Sequence, residues 1–442
     1  YDAYSAFFQN KGDFTTSLID GQTVNIDGRA YGDPYSDFMD FSSDIEAQPS
    51  PTGSAQQTAV LRITLDPWGS TAGSSIAFVS GDFDGNGLDD VAELAGTGQW
   101  RVALTPASGD PTTQNVGTPW ATTGIDWEDF TVIRRGDRDV IVARAAGTGI
   151  GSWWKLSYDG AVWSTDFVGS WLIGGSWLDF VAGDFDGNGK ADIAARSHEL
   201  GEWWMLADAA ETATAADYAA KNVKIGEWNP EVEWKTVVAG NFDGGTSPRD
   251  SIAGLAGTTW WQLDYTGPGT FTNTAITTNW SDQTTWSDFV VGNFSGAADG
   301  KEGIAARNAA NAWYTVSNTG TPSQQPTLMA TWAAGTWKNV VVGNFSGDAS
   351  GAVGIAGRQN STGAWHVVQK QGSGYQSVNY QGAWPTSSAW AQAFAGIFTQ
   401  QAGSPKKADI LGRSPSSTGN TWEKAISSGT AFTSSAAPGY PS

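Results

Sequence analysis

Cysteine is missing altogether from this sequence, and histidine and methionine are scarce, at two and three of 442 residues. The first absence excludes disulfides, thiol chemistry and Cys-ligated zinc. With only His198 and His366, in dissimilar surroundings, no histidine pair at catalytic spacing can be drawn. Positive charge is also short: 24 Lys and Arg stand against 45 Asp and Glu, a formal charge of −21. A field of that sign repels phosphate backbones, so nucleic acid is excluded as a partner, whereas cations are attracted. No apolar run reaches the length of a membrane-spanning helix and no Lys/Arg cluster marks a lipid surface, so no membrane insertion is expected. Helical periodicity of useful length is lacking as well. The chain begins at Tyr1 rather than Met. That start predicts an exported protein, extracellular or on the cell surface, whose signal is already removed.

What the chain has in excess is Trp, 24 residues, and Gly, 56 residues. Indoles in such number need recurring large pockets, and Gly in such number needs recurring tight turns. Both belong to a β protein of short hairpins. One phrase is repeated: Gly81-Asp-Phe-Asp-Gly85, Gly183-Asp-Phe-Asp-Gly187, Gly240-Asn-Phe-Asp-Gly244, Gly292-Asn-Phe-Ser-Gly296 and Gly343-Asn-Phe-Ser-Gly347. Weaker copies align at Ile133 and Gly396, giving seven units of about fifty residues each, enough for a four-stranded propeller blade.

Three Trp series fix the register independently. Trp127, Trp177, Trp234, Trp286, Trp337 and Trp390 precede the unit starts by six residues, with Ser75 in the first unit. Trp68, Trp120, Trp171, Trp228, Trp280, Trp332 and Trp384 lie a few residues further back. Trp100, Trp153, Trp203, Trp260, Trp313, Trp365 and Trp422 follow the starts. Apart from second members of doublets, only Trp163 stands outside these series. Within each unit, short apolar runs read as four strands. The prediction is an all-β, seven-bladed propeller over residues 58–442. Because Trp422 has no fourth-strand Trp after it, residues 58–68 are expected to supply the outer strand of the last blade and close the ring. Residues 1–57 are read as an aromatic-rich N-terminal arm. It holds a hairpin turning at Asp20-Gly21 and a linker at residues 48–54. This arm is expected to dock on a neighbouring subunit or protein partner.

Two copies of the phrase carry oxygen donors at alternate positions. Asp82, Asp84, Asn86, the carbonyl of Leu88 and Asp90 form one set; Asp184, Asp186, Asn188, the carbonyl of Lys190 and Asp192 form the other. Alternate oxygens with Gly between them let a tight loop wrap a hard cation, so two structural Ca²⁺ sites are expected. The remaining turns have lost these donors and are expected to be held by side-chain hydrogen bonds.

The run Gly183-Asp-Phe-Asp-Gly-Asn-Gly189 followed by Ala191-Asp-Ile-Ala-Ala-Arg196 resembles the FG-GAP/VCBS repeats of integrin α-chain propellers and of many exported bacterial proteins. The resemblance covers residues 58–442. It implies calcium loops on one face of a disc, with ligands on the other face or the rim, and a related group of fungal lectins binds sugars between blades. The expected function is a non-catalytic, calcium-stabilised structural or adhesion module of a surface assembly. A carbohydrate-binding lectin is the alternative, with Trp154, Trp163, Trp204 and Trp261 as sugar platforms. A glycan lyase or hydrolase ranks third, because no carboxylate or histidine cluster for it can be located.

Overall fold

The computed structural model describes residues 15–18, 22–25, 41–49 and 57–65. It then describes residues 75–441, apart from 148–149, 172–176, 212–220, 245–248, 282–284, 383, 389, 402–404 and 417–418. By internal packing the chain divides into two compact units, one of residues 1–75 with 95–97 and the other of the remainder.

The larger unit is a seven-bladed β-propeller, each blade an antiparallel meander of four strands in chain order. The blades span residues 75–116, 126–170, 177–227, 236–277, 286–331, 337–381 and 392–436. The core lies between blades rather than within them. Each of seven buried apolar clusters draws on two neighbouring blades, and the last joins Phe78, Val91 and Ala103 to Leu411, Trp422 and Tyr440.

The Trp series explain this arrangement. A third-strand Trp, fully buried, meets edge-on the Trp that follows the fourth strand of its own blade, as Trp203 meets Trp228 at 5.1 Å and 83°. That second Trp then packs on the Trp opening the next blade, stacked where Trp228 meets Trp234 at 3.9 Å and 17° and tilted at the other seams, as Trp332 is on Trp337 at 31°. Many of the buried indole N–H groups have no acceptor, among them those of Trp100, Trp153, Trp203, Trp260, Trp313 and Trp365. An unmade hydrogen bond costs about 1–3 kcal/mol. Burying an aromatic side chain of about 200 Å² returns about 5 kcal/mol, so packing prevails.

The glycine that opens the repeated phrase is required by the neighbouring blade. A Cβ on Gly183 would stand 2.8 Å from Asp250, one on Gly240 would stand 2.6 Å from Glu302, and one on Gly343 would stand 2.7 Å from Ala408. The Phe of the phrase is a plug, with Phe83, Phe185, Phe242, Phe294 and Phe345 all buried. In four blades the first strand carries an Asp or Asn with positive φ: Asp129, Asp179, Asp288 and Asn339. Strand register shifts beside each. Each such residue faces the second-strand Arg of its blade. Arg144 meets Asp129 at 2.6 Å, Arg196 meets Asp179 at 2.6 Å, Arg307 meets Asp288, and Arg358 donates to Asn339 at 3.2 Å. Blades one, four and seven lack the left-handed residue; Leu94 and Leu255 replace the Arg in the first two, whereas Arg413 of blade seven donates to Gln392 at 2.9 Å.

Ring closure differs from the expectation. The last blade takes its fourth strand, Phe432–Ala436, from the C-terminal end. Strand Gln57–Leu65 instead pairs with Phe41–Pro49 in a separate two-stranded sheet. The residue answering to the missing Trp is Tyr440, which packs 5.5 Å from Trp422. Gln48 and Pro49 lie in the first of these strands, opposite Thr58 and Gln57, and residues 50–54 of the expected linker lie outside the described residues. Trp68 lies outside the described residues. The first hairpin forms, Thr15–Leu18 with Gln22–Asn25, with Leu18 opposite Gln22. Three residues rather than two separate its last pair.

Candidate functional site

The two acid loops each connect the first and second strands of a blade, following Ser75–Gly81 in blade one and Trp177–Gly183 in blade three. Both have the same internal wiring. The first Asp accepts from the glycine five residues on: Gly87 N–H donates to Asp82 Oδ2 at 3.0 Å, and Gly189 N–H to Asp184 Oδ2 at 2.8 Å. The third-position Asp accepts from the Asn two residues later, at 3.0 Å in each loop. Asn86 and Asn188 accept from Leu88 N–H and Lys190 N–H, at 2.7 and 2.8 Å. Leu88 turns its side chain into the seam, leaving its carbonyl as its only oxygen, whereas the Lys190 side chain is exposed and reaches Asp208.

The ninth-position Asp is fully buried in both loops. Phe83 N–H and Thr105 N–H donate to the two oxygens of Asp90, at 2.9 and 2.7 Å. Phe185 N–H and Asp208 N–H do the same for Asp192, at 2.9 and 2.8 Å. Blade seven uses Asp409 in this way too, accepting from Ser427 N–H and Thr399 Oγ1, without acidic residues at the first and third positions. The ninth carboxylate is thus a loop anchor in its own right.

In each loop three carboxylates, Asp82, Asp84 and Asp90 or Asp184, Asp186 and Asp192, bring one oxygen apiece within 4.8 Å of one another. Ligands at about 2.3–2.6 Å from a shared Ca²⁺ ion fall within that span. Desolvation raises the Asp90 carboxyl to about 8 and the Asp192 carboxyl to about 7, and the neighbouring carboxylates push the same way. Asp82 and Asp186 are raised as well, again by desolvation first. Asp82 Oδ1 is buried and has no hydrogen-bond partner. Buried acids crowded in this manner, one oxygen orphaned, fit a hard divalent cation that would stabilise their ionised forms.

The other loops are closed by side chains. Asn293 accepts from Ala297 N–H at 2.9 Å and donates back to its carbonyl at 2.9 Å, and Asn344 does likewise with Asp348 at 2.9 and 3.1 Å. Asn241 accepts from Gly244 N–H at 2.8 Å, and Asn318 donates to Asp243 at 2.9 Å. Blade two has no such phrase. Its Arg134 instead reaches across to Asp82, 3.6 Å away, and to Asp139 at 3.1 Å.

A set of residues unforeseen in the sequence ties loop to loop. At six seams a backbone N–H from one blade donates to the carbonyl at the first loop position of the preceding blade. The donors are Asp89, Asp139, Asp250, Glu302, Val353 and Ala408, at 2.8–3.1 Å. Where the donor residue is acidic, its carboxylate also accepts the N–H of that loop position: Asp139 from Asp82, Asp250 from Asp184, Glu302 from Asn241 and Asp89 from Ile397. Burial raises Asp89, Asp250 and Glu302. The signal for them was a cation followed by an acid, Arg138-Asp139, Arg249-Asp250 and Lys301-Glu302, at one position of the unit.

The four surface Trp candidates divide into two pairs. Trp154 and Trp163 pack against the core between blades one and two, Trp154 edge-on to Phe167 and Trp163 stacked on Tyr158 at 5.0 Å. Trp204 donates to Glu202 at 3.1 Å, and Glu202 is paired with Lys224 at 2.6 Å. Trp261, 37% exposed, is the only exposed Trp among the described residues. His366 stands edge-on to Trp337 at 5.0 Å, and His198 lies exposed in another blade.

No protein-family profile matches this sequence, and no curated protein matches it. Among solved structures, the chain is similar to an Agrocybe aegerita lectin that recognises non-reducing terminal N-acetylglucosamine. The TM-score is 0.51 at 14% identity, covering 74% of this chain and 86% of the lectin. It is also similar to BBS1N in complex with ARL6DN, at TM-score 0.43 and 8% identity, covering 83% and 96% of the two chains. AofleA from Arthrobotrys oligospora follows at TM-score 0.38 and 12% identity, covering 70% and 87%. At these identities the likeness is one of fold.

Proposed function

We propose that this chain is a non-catalytic, calcium-stabilised propeller of the FG-GAP/VCBS kind, serving as a binding or structural module in an extracellular or cell-surface assembly. The observation that carries the reading is the buried, unpartnered Oδ1 of Asp82 inside a three-carboxylate loop whose wiring is repeated at Asp184–Asp192. All seven blades are complete with strands from residues 75–436, so strands 41–49 and 57–65 are not spent on ring closure. The arm of residues 1–57, which holds the first of these strands, is the proposed contact to a neighbouring subunit or protein partner.

A second reading, glycan binding, is favoured by Trp261 with its exposed face and by Trp204, held in place by the Glu202–Lys224 pair. An indole face so presented stacks on a sugar ring. One set of measurements tests both. Chelation should lower the melting temperature, and calorimetric titration of the metal-free protein should return two Ca²⁺ per chain. A glycan array probed with the wild type and with Trp261→Ala should lose any signal in the variant. Unchanged melting with no bound metal defeats the first reading; a blank array defeats the second.

A further inference from the structure

Each acid loop is completed by the blade that follows it. We infer that Asp139 and Asp250 are positioning residues for the two calcium sites, so that cation binding and closure of the seams between blades one and two and between blades three and four are one event. This inference rests on the calcium reading above.

The geometry is a two-point grip on the first ligand residue of each loop. Asp184 donates its backbone N–H to Asp250 Oδ2 at 2.8 Å, and its carbonyl accepts from Asp250 N–H at 2.9 Å. Asp82 is held in the same way by Asp139, at 2.9 and 2.8 Å. Both peptides flanking the ligand residue are therefore fixed from outside its own blade. The ninth ligand is fixed from inside: Asp192 is anchored by Phe185 and Asp208, and Asp90 by Phe83 and Thr105. The oxygens that would share an ion are set by two blades at once, and a slip of the seam pulls the first ligand away from the ninth. A cation that needs those oxygens at fixed radius resists the slip.

The next blade adds a third contact. Arg138 Nε donates to the carbonyl of Asp84 at 3.0 Å, and Arg249 lies against Gly187, its Nε 3.0 Å from where a Cβ would stand. The grip with a carboxylate is present at both loops that have the full donor set. At the seams after blades five and six, where the loops hold Asn and Ser, Val353 and Ala408 fill the slot and give the backbone bond alone. Glu302 grips Asn241 in a loop without the acidic set, which makes it the internal control.

The test is Asp250→Val, a side chain that this fold already accepts at the equivalent Val353, read by calorimetric Ca²⁺ titration of the intact chain. Loss of an outer partner that orients a metal ligand weakens binding by about tenfold to a hundredfold. One of the two sites should weaken by that much while the other keeps its affinity. Asp250→Asn, which still accepts the Asp184 N–H, should restore the site. Glu302→Val should leave both ions bound as in the wild type. A wild-type experiment guards against misfolding of the variant: adding Ca²⁺ should slow amide exchange at Asp184 and Asp250 and leave Asn241 and Glu302 unchanged. Two ions bound with wild-type affinity in Asp250→Val, or exchange at Asp250 insensitive to Ca²⁺, overturns the inference and leaves the calcium reading standing. A wild-type chain that binds no Ca²⁺ removes both.

Discussion

The seam between blades six and seven and the seam between blades seven and one do the same job with different chemistry. In the former, Trp384 packs at a tilt on Trp390 at 4.4 Å and meets Trp365 edge-on at 5.0 Å, the indole trio of the five seams before it. In the latter, the opening Trp is replaced by Ser75, and Tyr440 takes the place of the closing Trp. Its hydroxyl lies 3.2 Å from Thr105 Oγ1, Thr113 donates to Gly439 at 2.7 Å, and Arg413 lies over Phe78 at 4.3 Å. The loop-side clasp is shared: Asp89 N–H donates to Ile397 just as Ala408 N–H donates to Asn344. Indole stacks are interchangeable among blades, so they suit units added in series. Directional contacts are not confined to the closing seam: between blades six and seven Tyr380 donates to Gly429 at 2.7 Å and Ser427 to Phe345 at 2.6 Å, and Arg144 lies over Phe180 as Arg413 does over Phe78. The difference teaches that six seams carry an indole pair beside their hydrogen bonds, whereas the closing seam carries Tyr440 in its place.

The largest effect that sharpens this contrast is expected at an indole seam. Trp384→Ala, at a site 1% exposed, should cost about 3–5 kcal/mol of unfolding free energy in a denaturant titration. Tyr440→Phe keeps the ring and loses only the hydroxyl contact with Thr105, so about 1 kcal/mol is expected. Equal losses for the two variants would break the comparison. A smaller, local effect separates acid-clasped seams from the rest. Burial holds the Glu302 carboxyl above its ordinary value, so the folded state favours its protonated form. Its contribution is complete below the unfolded value, near 4.5, and is lost as pH rises through the folded one. Protection of Asn241 and Glu302 from amide exchange, corrected for intrinsic rates, should therefore fall as pH rises above about 4.5. At Val353 and Asn293, where the slot holds Val in place of an acid, it should hold steady. A uniform response at both seams would contradict the assignment.

Much of the fold was legible because its signals are local and repeated. The Gly-x-Phe phrase and the Trp series give blade number and register without any knowledge of neighbours. The acid loops were legible for the same reason, their donors being alternate residues of one turn. The closing strand was not legible because Trp marks that place in six blades, while Tyr440 fills the seventh with a different aromatic. The Arg series was visible, yet its partners were not. Asp129, Asp179 and Asp288 become partners only through a left-handed bulge one strand away. The seam acids left only a faint trace, a cation followed by an acid at one position of three units, and nothing local in that pair says that it reaches the preceding blade.

Sequence by itself determined the strand meander, the count of seven and the two loops rich in carboxylates, since each follows from spacing within one unit. Tertiary structure decided which strand closes the ring, why the leading glycine is obligatory and which acids clasp the loops. Those depend on a neighbouring blade approaching to within a hydrogen bond, and no periodicity along the chain records how close two units come.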